Sequence, residues 1–238
     1  FGGTVAHPQF WPENMEYRGK RVVVIGSGAT AMTIVPTMAQ KGAMVTMVQR
    51  SPTYVVSQPR EDAIANFLGR WLPARWAYFL TRWKNIVRDL RFYRQTRIKP
   101  DKIKADLVGA VRDIMGPDYD VGTHFTPSYG PWDQRLCLIP DDDLFHTLKD
   151  GSAKVVTGLI TEFTPHGLKL GTGKHIEADI IVTATGLQLT LLSNVKFTVD
   201  HKSVRFADTF TYKGMMFSDV PNLVQTFGYV NASWTLRT

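Results

Sequence analysis

Cysteine is almost missing from this chain: Cys137 is the single one in 238 residues. An internal disulfide is therefore excluded, and the sequence is expected in a reducing compartment, the cytoplasm. Long apolar runs are missing too. No stretch approaches the roughly 18 residues of a membrane span, and the first residues do not read as a secretory signal. Apolar residues still make up 44% of the chain, enough to fill a core. The net charge is +7, but it is local. Residues 60–104 hold twelve Lys or Arg against four Asp or Glu, a balance of +8, so the rest is near neutral.

One carboxylate is missing where it would matter most. Residues 21–50 read strand, Gly-rich turn, helix, strand. Val22 to Ile25 is a β-branched run, as expected of a strand buried on both faces. Gly26-Ser27-Gly28-Ala29-Thr30-Ala31 turns the chain into a helix reaching about Gln40, with Gly42 just past its end. Gly26 suits the tight turn, Gly28 lets a pyrophosphate approach the backbone, and small Ala31 permits close helix–strand packing. The phosphates would meet free N–H groups at the helix start. A second strand over 45–49 follows, and its end normally carries Asp or Glu for the ribose hydroxyls of NAD or FAD. Here it carries Arg50-Ser51, which suits a 2′-phosphate and so NADP(H).

Other segments carry weaker signals. Taken alone, Phe1 to Pro12 reads as a surface loop. The 60–104 segment reads as helical, with an amphipathic stripe at Trp76, Leu80, Trp83, Val87 and Leu90 and interleaved arginines. The expected arrangement is a small helical subdomain packing these aromatics on the nucleotide domain. A basic, Trp-bearing helix lying on an anionic membrane is the alternative, whereas no nucleic-acid module accompanies the charge. Helix continues to Met115, and 118–131 reads as a long Gly/Pro/aromatic loop. Arg135 follows that loop at the edge of a short apolar strand, facing a crevice or paired with Asp133. Asp141-Asp142-Asp143 reads as the start of a helix over 143–149, with no metal assigned. Gly171-Thr172-Gly173 is a hairpin turn, and Asp179 to Gly186 is a buried strand whose Thr185-Gly186 end lets backbone approach a cofactor. Residues 187–238 read as short strands and turns.

The spacing Phe1-x-Gly3-x-x-x-His7-x-x-x-Trp11-Pro12, just ahead of the Gly turn, resembles the fingerprint of type I Baeyer–Villiger flavin monooxygenases. The stretches "HPQFWPE", "VVVIGSGATA", "QRSPTYVVSQP", "PWDQRLCL", "DIIVTATG", "YKGMM" and "NASWTL" are similar to mycobacterial members of that family, and the likeness spans nearly the whole chain. The resemblance implies an α/β fold: a Rossmann-type NADP-binding domain with a helical insertion, within a flavoprotein of two dinucleotide domains. It divides the chain into a linker over 1–18, the NADP domain over 19–58 and 131–186, the insertion over 59–130, and a return toward an FAD domain over 187–238.

The resemblance also implies FAD and NADP(H) as cofactors, oxygen and a small ketone or thioether as substrates, and an ester, lactone or sulfoxide as product. Arg135 would be the catalytic residue, a cation near the flavin that stabilises negative charge developing on oxygen. Gln134 stands where the family often has Lys, which throws more of the 2′-phosphate recognition onto Arg50. The alternatives are a flavin N- or S-oxygenase without ketone activity and a non-catalytic NADP-binding fragment. The start at Phe1 and the end in "NASWTLRT" read as a piece of a longer protein. By itself such a piece is expected to bind NADPH weakly or not at all and to lack oxygenase activity.

Overall fold

In the computed structural model, residues 1–188 and 195–225 are described. In chain order they form β1 (Thr4–Ala6), β2 (Arg21–Ile25), α1 (Ala29–Gln40), β3 (Met44–Gln49), β4 (Tyr54–Gln58), α2 (Ala63–Trp71), α3 (Ala74–Ile98), α4 (Pro100–Met115) and α5 (Val121–Phe125). There follow β5 (Leu136–Pro140), α6 (Asp143–Lys149), β6 (Ala153–Thr157), β7 (Ile160–Thr164), β8 (Gly167–Leu170), β9 (His175–Glu177) and β10 (Ile180–Thr183). Four two-residue strands end the described chain: β11 (Thr198–Val199), β12 (Lys202–Ser203), β13 (Thr211–Tyr212) and β14 (Met216–Phe217). "NASWTL" lies outside the described residues.

The chain divides into two compact units, residues 1–61 with 94–187 and residues 62–93 with 188–238. The first is built on a parallel five-stranded sheet in the order β1-β10-β2-β3-β6. Alternation along β2 sends Val22 and Val24 into one apolar layer and Val23 into the other. The first layer is closed by α1, α4, α5 and α6 through Val35, Val111, Phe125 and Leu144. The second is closed by the antiparallel sheet β7-β8-β9 through Leu168, Leu170 and Ile176. This is the expected Rossmann-type α/β arrangement, a covered parallel sheet.

The β2–α1–β3 unit lies where the sequence places it, with Gly42 at φ +90 just after the helix. Two expectations change. Residues 4–6, read as loop, form β1, because Ile180 to Val182 offer them a parallel partner far along the chain. The 118–131 stretch, read as loop, contains α5, capped by the Asp120 carboxylate accepting from the Thr123 amide and anchored by buried Val121 and Phe125. Val108, Val111 and Met115 of α4 are buried in the main core. The apolar strand after Arg135, β5, pairs with β4 in a two-stranded parallel sheet.

The helical insertion holds the largest departure. Trp76 is 59% exposed and Trp83 52%, so the stripe on α3 is not packed inward as expected. Ala77, off the stripe, is buried, as is Thr96. Among the described residues no helix is long and apolar enough to cross a membrane.

Candidate functional site

The carboxyl ends of β2, β3 and β10 meet at one edge of the sheet, where open α/β sheets bind ligands. Gly26 leaves β2 at φ +133, and a Cβ there would lie 2.3 Å from the Ala184 carbonyl oxygen. No other residue fits, on both counts. Its amide donates to Val48 O at 2.8 Å, tying the turn to β3. Ser27 is buried, and its hydroxyl donates to Ser51 O at 3.4 Å. Gly28 is the N-cap of α1 and offers no side-chain cap, so the amides of Ala29, Thr30 and Ala31 face outward without a capping oxygen. Ala31 is fully buried beneath them. The turn therefore has the shape a dinucleotide diphosphate requires, with space at Gly28 and none at Gly26.

Two cations flank it. Arg50 is exposed at the end of β3 and makes no ion pair among the described residues. Arg135 brings Nη1 to 3.4 Å from the point where a side chain on Gly28 would start. It is not paired with Asp133, which bonds Arg97 at 2.8 Å and the Gly130 amide at 3.1 Å instead. Gln134 beside it is exposed.

The backbone of Arg135 is held by residues that sequence reading missed. The Tyr129 hydroxyl donates to Arg135 O at 2.8 Å, and Thr53 Oγ1 lies 2.8 Å from that hydroxyl and 3.2 Å from the same carbonyl. Tyr54, buried beneath, donates to Tyr129 O at 2.6 Å; burial, with Tyr129 and Asp133 nearby, pushes its phenol up to about 12. Cys137, two residues on, is a buried thiol raised by desolvation, with Sγ 3.7 Å from Ser27 O. Gln49, just before Arg50, is buried and donates to His124 O at 2.8 Å and Thr157 Oγ1 at 2.9 Å. The only advance signal for this frame was the density of hydroxyls and aromatics in 51–59 and 126–132.

The N-terminal fingerprint reaches the same edge from the other side. His7 Nδ1 accepts from the Gln9 amide, which leaves Nε2–H to donate to Gly186 O at 3.0 Å. Gly186 itself sits at φ +142, with exposed Thr185 before it. Phe1 packs on the second apolar layer, and a Cβ on Gly3 would meet Asp179 O at 2.4 Å. Trp11 packs on the first layer and borders a cleft of about 640 Å³ along α1, with Thr30, Thr33 and Thr37; Pro12 is exposed. A second cleft, of about 690 Å³, lies at the amino ends of β1 and β10, away from the Gly turn. At that end Arg21 forms a bidentate pair with Asp179 and a further pair with Glu177.

No family model matches the sequence. Direct comparison is decisive: the chain is 49% identical, over all 238 residues, to the FAD-containing monooxygenase EthA of Mycobacterium tuberculosis. The chain is similar over its full length to FAD-containing monooxygenases. It spans about half the length of the curated relatives it matches, 49% of EthA. Among solved structures it resembles OTEMO in complex with FAD and NADP, at TM-score 0.60 and 19% identity over 79% of this chain and 43% of that one. It also resembles cyclohexanone monooxygenase, at TM-score 0.57 and 18% identity over 78% and 43%. What is shared with them is the fold, a Rossmann-type α/β arrangement on a parallel sheet.

Proposed function

We propose that this chain is part of an FAD-containing monooxygenase and carries the NADPH-binding part of an enzyme converting ketones to esters or lactones, with sulfoxidation of thioethers as a second activity. The observation that carries the reading is Arg135, with Nη1 3.4 Å from the Cβ position of Gly28 in a turn shaped for a diphosphate, together with exposed Arg50 at the end of β3, neither in an ion pair among the described residues. FAD, when bound and reduced by NADPH, supplies the oxygen-transferring chemistry. The chain's own part is to bind, orient and neutralise. The amides of Ala29 to Ala31 take the diphosphate, with Gly26, Ser27 and Gly28 forming its cradle. Arg50 and Ser51 take the 2′-phosphate, with Gln134 adding a neutral donor where the family often has a cation. Thr185 and Gly186 close the far side of the cofactor edge. Arg135 is the catalytic cation: its carbonyl is clamped by Tyr129 and Thr53, and its guanidinium offers fixed positive charge to oxyanions formed in the transfer. The basic helices over 62–93 add a peripheral membrane contact.

The reading is tested by assaying the NADPH-oxidising enzyme with one ketone and one thioether. Ester together with sulfoxide is expected, and Arg135→Ala should abolish the ester. Sulfoxide without any ester from the unaltered enzyme would reject the ketone reading in favour of an S-oxygenase.

A further inference from the structure

α3 presents its apolar stripe to solvent. Trp76, Phe79, Trp83 and Leu90 are each about half exposed, while Ala77, off the stripe, is buried and Asn85, opposite it, keeps a buried, unpartnered Oδ1. α2 does the same with Phe67 at 61% and Trp71 at 75% exposure. The rings touch in sequence along the surface: Phe67–Trp71 at 6.5 Å, then Trp76–Phe79 and Phe79–Trp83 at 6.2 Å, the last two edge-on. A water-soluble helix normally turns such a stripe inward. Here it stays outward on both helices, and aromatic residues dominate it.

The charges around the stripe select its occupant. Within 62–93, Lys84 is paired with Asp62 and Arg88 with Asp89. That leaves Arg70, Arg75, Arg82 and Arg91 without an ion pair among the described residues. At 100° per residue, Arg75 and Arg82 fall on one flank of the Trp76–Leu90 stripe and Arg91 on the other. A second copy packed through this face would set arginines against arginines. An anionic lipid surface instead takes the rings into its headgroup–acyl boundary and the guanidiniums onto its phosphates. The helix is too polar to cross a bilayer, and its 25 residues make a rod of roughly 37 Å that can lie flat in the interface.

We infer that α2 and α3 form an in-plane docking surface for bilayers bearing anionic phospholipid, with Trp76 and Trp83 inserted and Arg75, Arg82 and Arg91 on the phosphates. The inference is independent of the oxygenase chemistry, so either can fail alone. It is tested by co-sedimenting the chain with phosphatidylcholine vesicles, with vesicles containing phosphatidylglycerol, and without vesicles, at low and high salt. Pelleting is expected only with phosphatidylglycerol and only at low salt, with a blue shift in tryptophan emission. Arg75→Gln/Arg82→Gln/Arg91→Gln should weaken partitioning about a hundredfold, roughly fivefold per arginine. Trp76→Ser/Trp83→Ser should abolish both pelleting and the blue shift. If the tryptophan variant loses its circular-dichroism signature, the arginine variant decides alone. Equal pelleting on phosphatidylcholine, pelleting without vesicles, undiminished binding by the arginine variant, or a dimer in sedimentation velocity that Trp76→Ser/Trp83→Ser dissolves would each overturn it.

Discussion

Nη1 of Arg135 stands 3.4 Å from where a side chain on Gly28 would begin. The catalytic candidate and the phosphate turn thus share one space, and the two glycines of the turn should fail in different ways. Gly28→Ala meets only the flexible end of an arginine, so its unfolding free energy should stay within about 0.5 kcal/mol of the parent. Its NADPH affinity should fall about tenfold or more, because the methyl group occupies the phosphate approach. Gly26→Ala puts a methyl 2.3 Å from a carbonyl oxygen at φ +133 and should cost at least about 3 kcal/mol. Urea unfolding and nicotinamide fluorescence titration separate the two.

Arg50 carries the choice of cofactor. Arg50→Ala should weaken NADPH by roughly 1.5–3 kcal/mol, the range for a hydrogen bond to a charged group, and leave NADH nearly unchanged. Matched titrations with both cofactors read this directly, and equal losses reject the 2′-phosphate assignment.

Tyr129 and Thr53 are positioning residues for Arg135. Tyr129→Phe removes the hydroxyl that donates to the Arg135 carbonyl at 2.8 Å. Stability should drop by about 1 kcal/mol. Turnover should fall more than substrate affinity, so kcat changes and KM largely does not. An unchanged kcat alongside the stability loss would mean that the clamp is merely structural.

Acid sensitivity should come from the other end of the strands. Arg21, bonding through its side chain and amide, lowers the Asp179 carboxyl to about 2. Folded Asp179 is more acidic than the unfolded group at 3.8, so unfolding takes up a proton. This stabilisation is complete above pH 3.8 and disappears as pH falls toward 2. Asp179→Asn should therefore lower stability at neutral pH and flatten the acid limb of a urea-midpoint profile. His124 adds an earlier slope: burial lowers its imidazole below 6.5, so stability is full above that value and declines as pH drops beneath it.

The part of the fold carried by local pattern was legible. Four β-branched residues, a Gly turn and a 3.6-residue period specify β2, α1 and their order. What depends on distant partners was not. Thr4–Ala6 becomes a strand only against Ile180–Val182, and the Thr53–Tyr129–Arg135 clamp joins loops 76 residues apart. α5, at five residues, is too short for a period to show. The α3 stripe was legible as a pattern but not in direction, since periodicity reports that one face is apolar and is silent on what the face meets. The likeness to Baeyer–Villiger enzymes was legible because its motifs are fixed spacings, which need no tertiary information.

β10 lies between β1 and β2, yet it is made last of the three. Some 155 residues separate Ile25 from Ile180, so at ribosomal rates the sheet waits roughly 8 to 30 s for this interior strand. Until then β1 has no neighbour, the Gly26 turn lacks the Ala184 backbone it is fitted to, and the His7 bond across 179 residues cannot close. The contact order of this sheet is therefore high. The cofactor edge is assembled only once nearly the whole first unit has emerged, and the nascent chain stays exposed to chaperones and proteases over that interval.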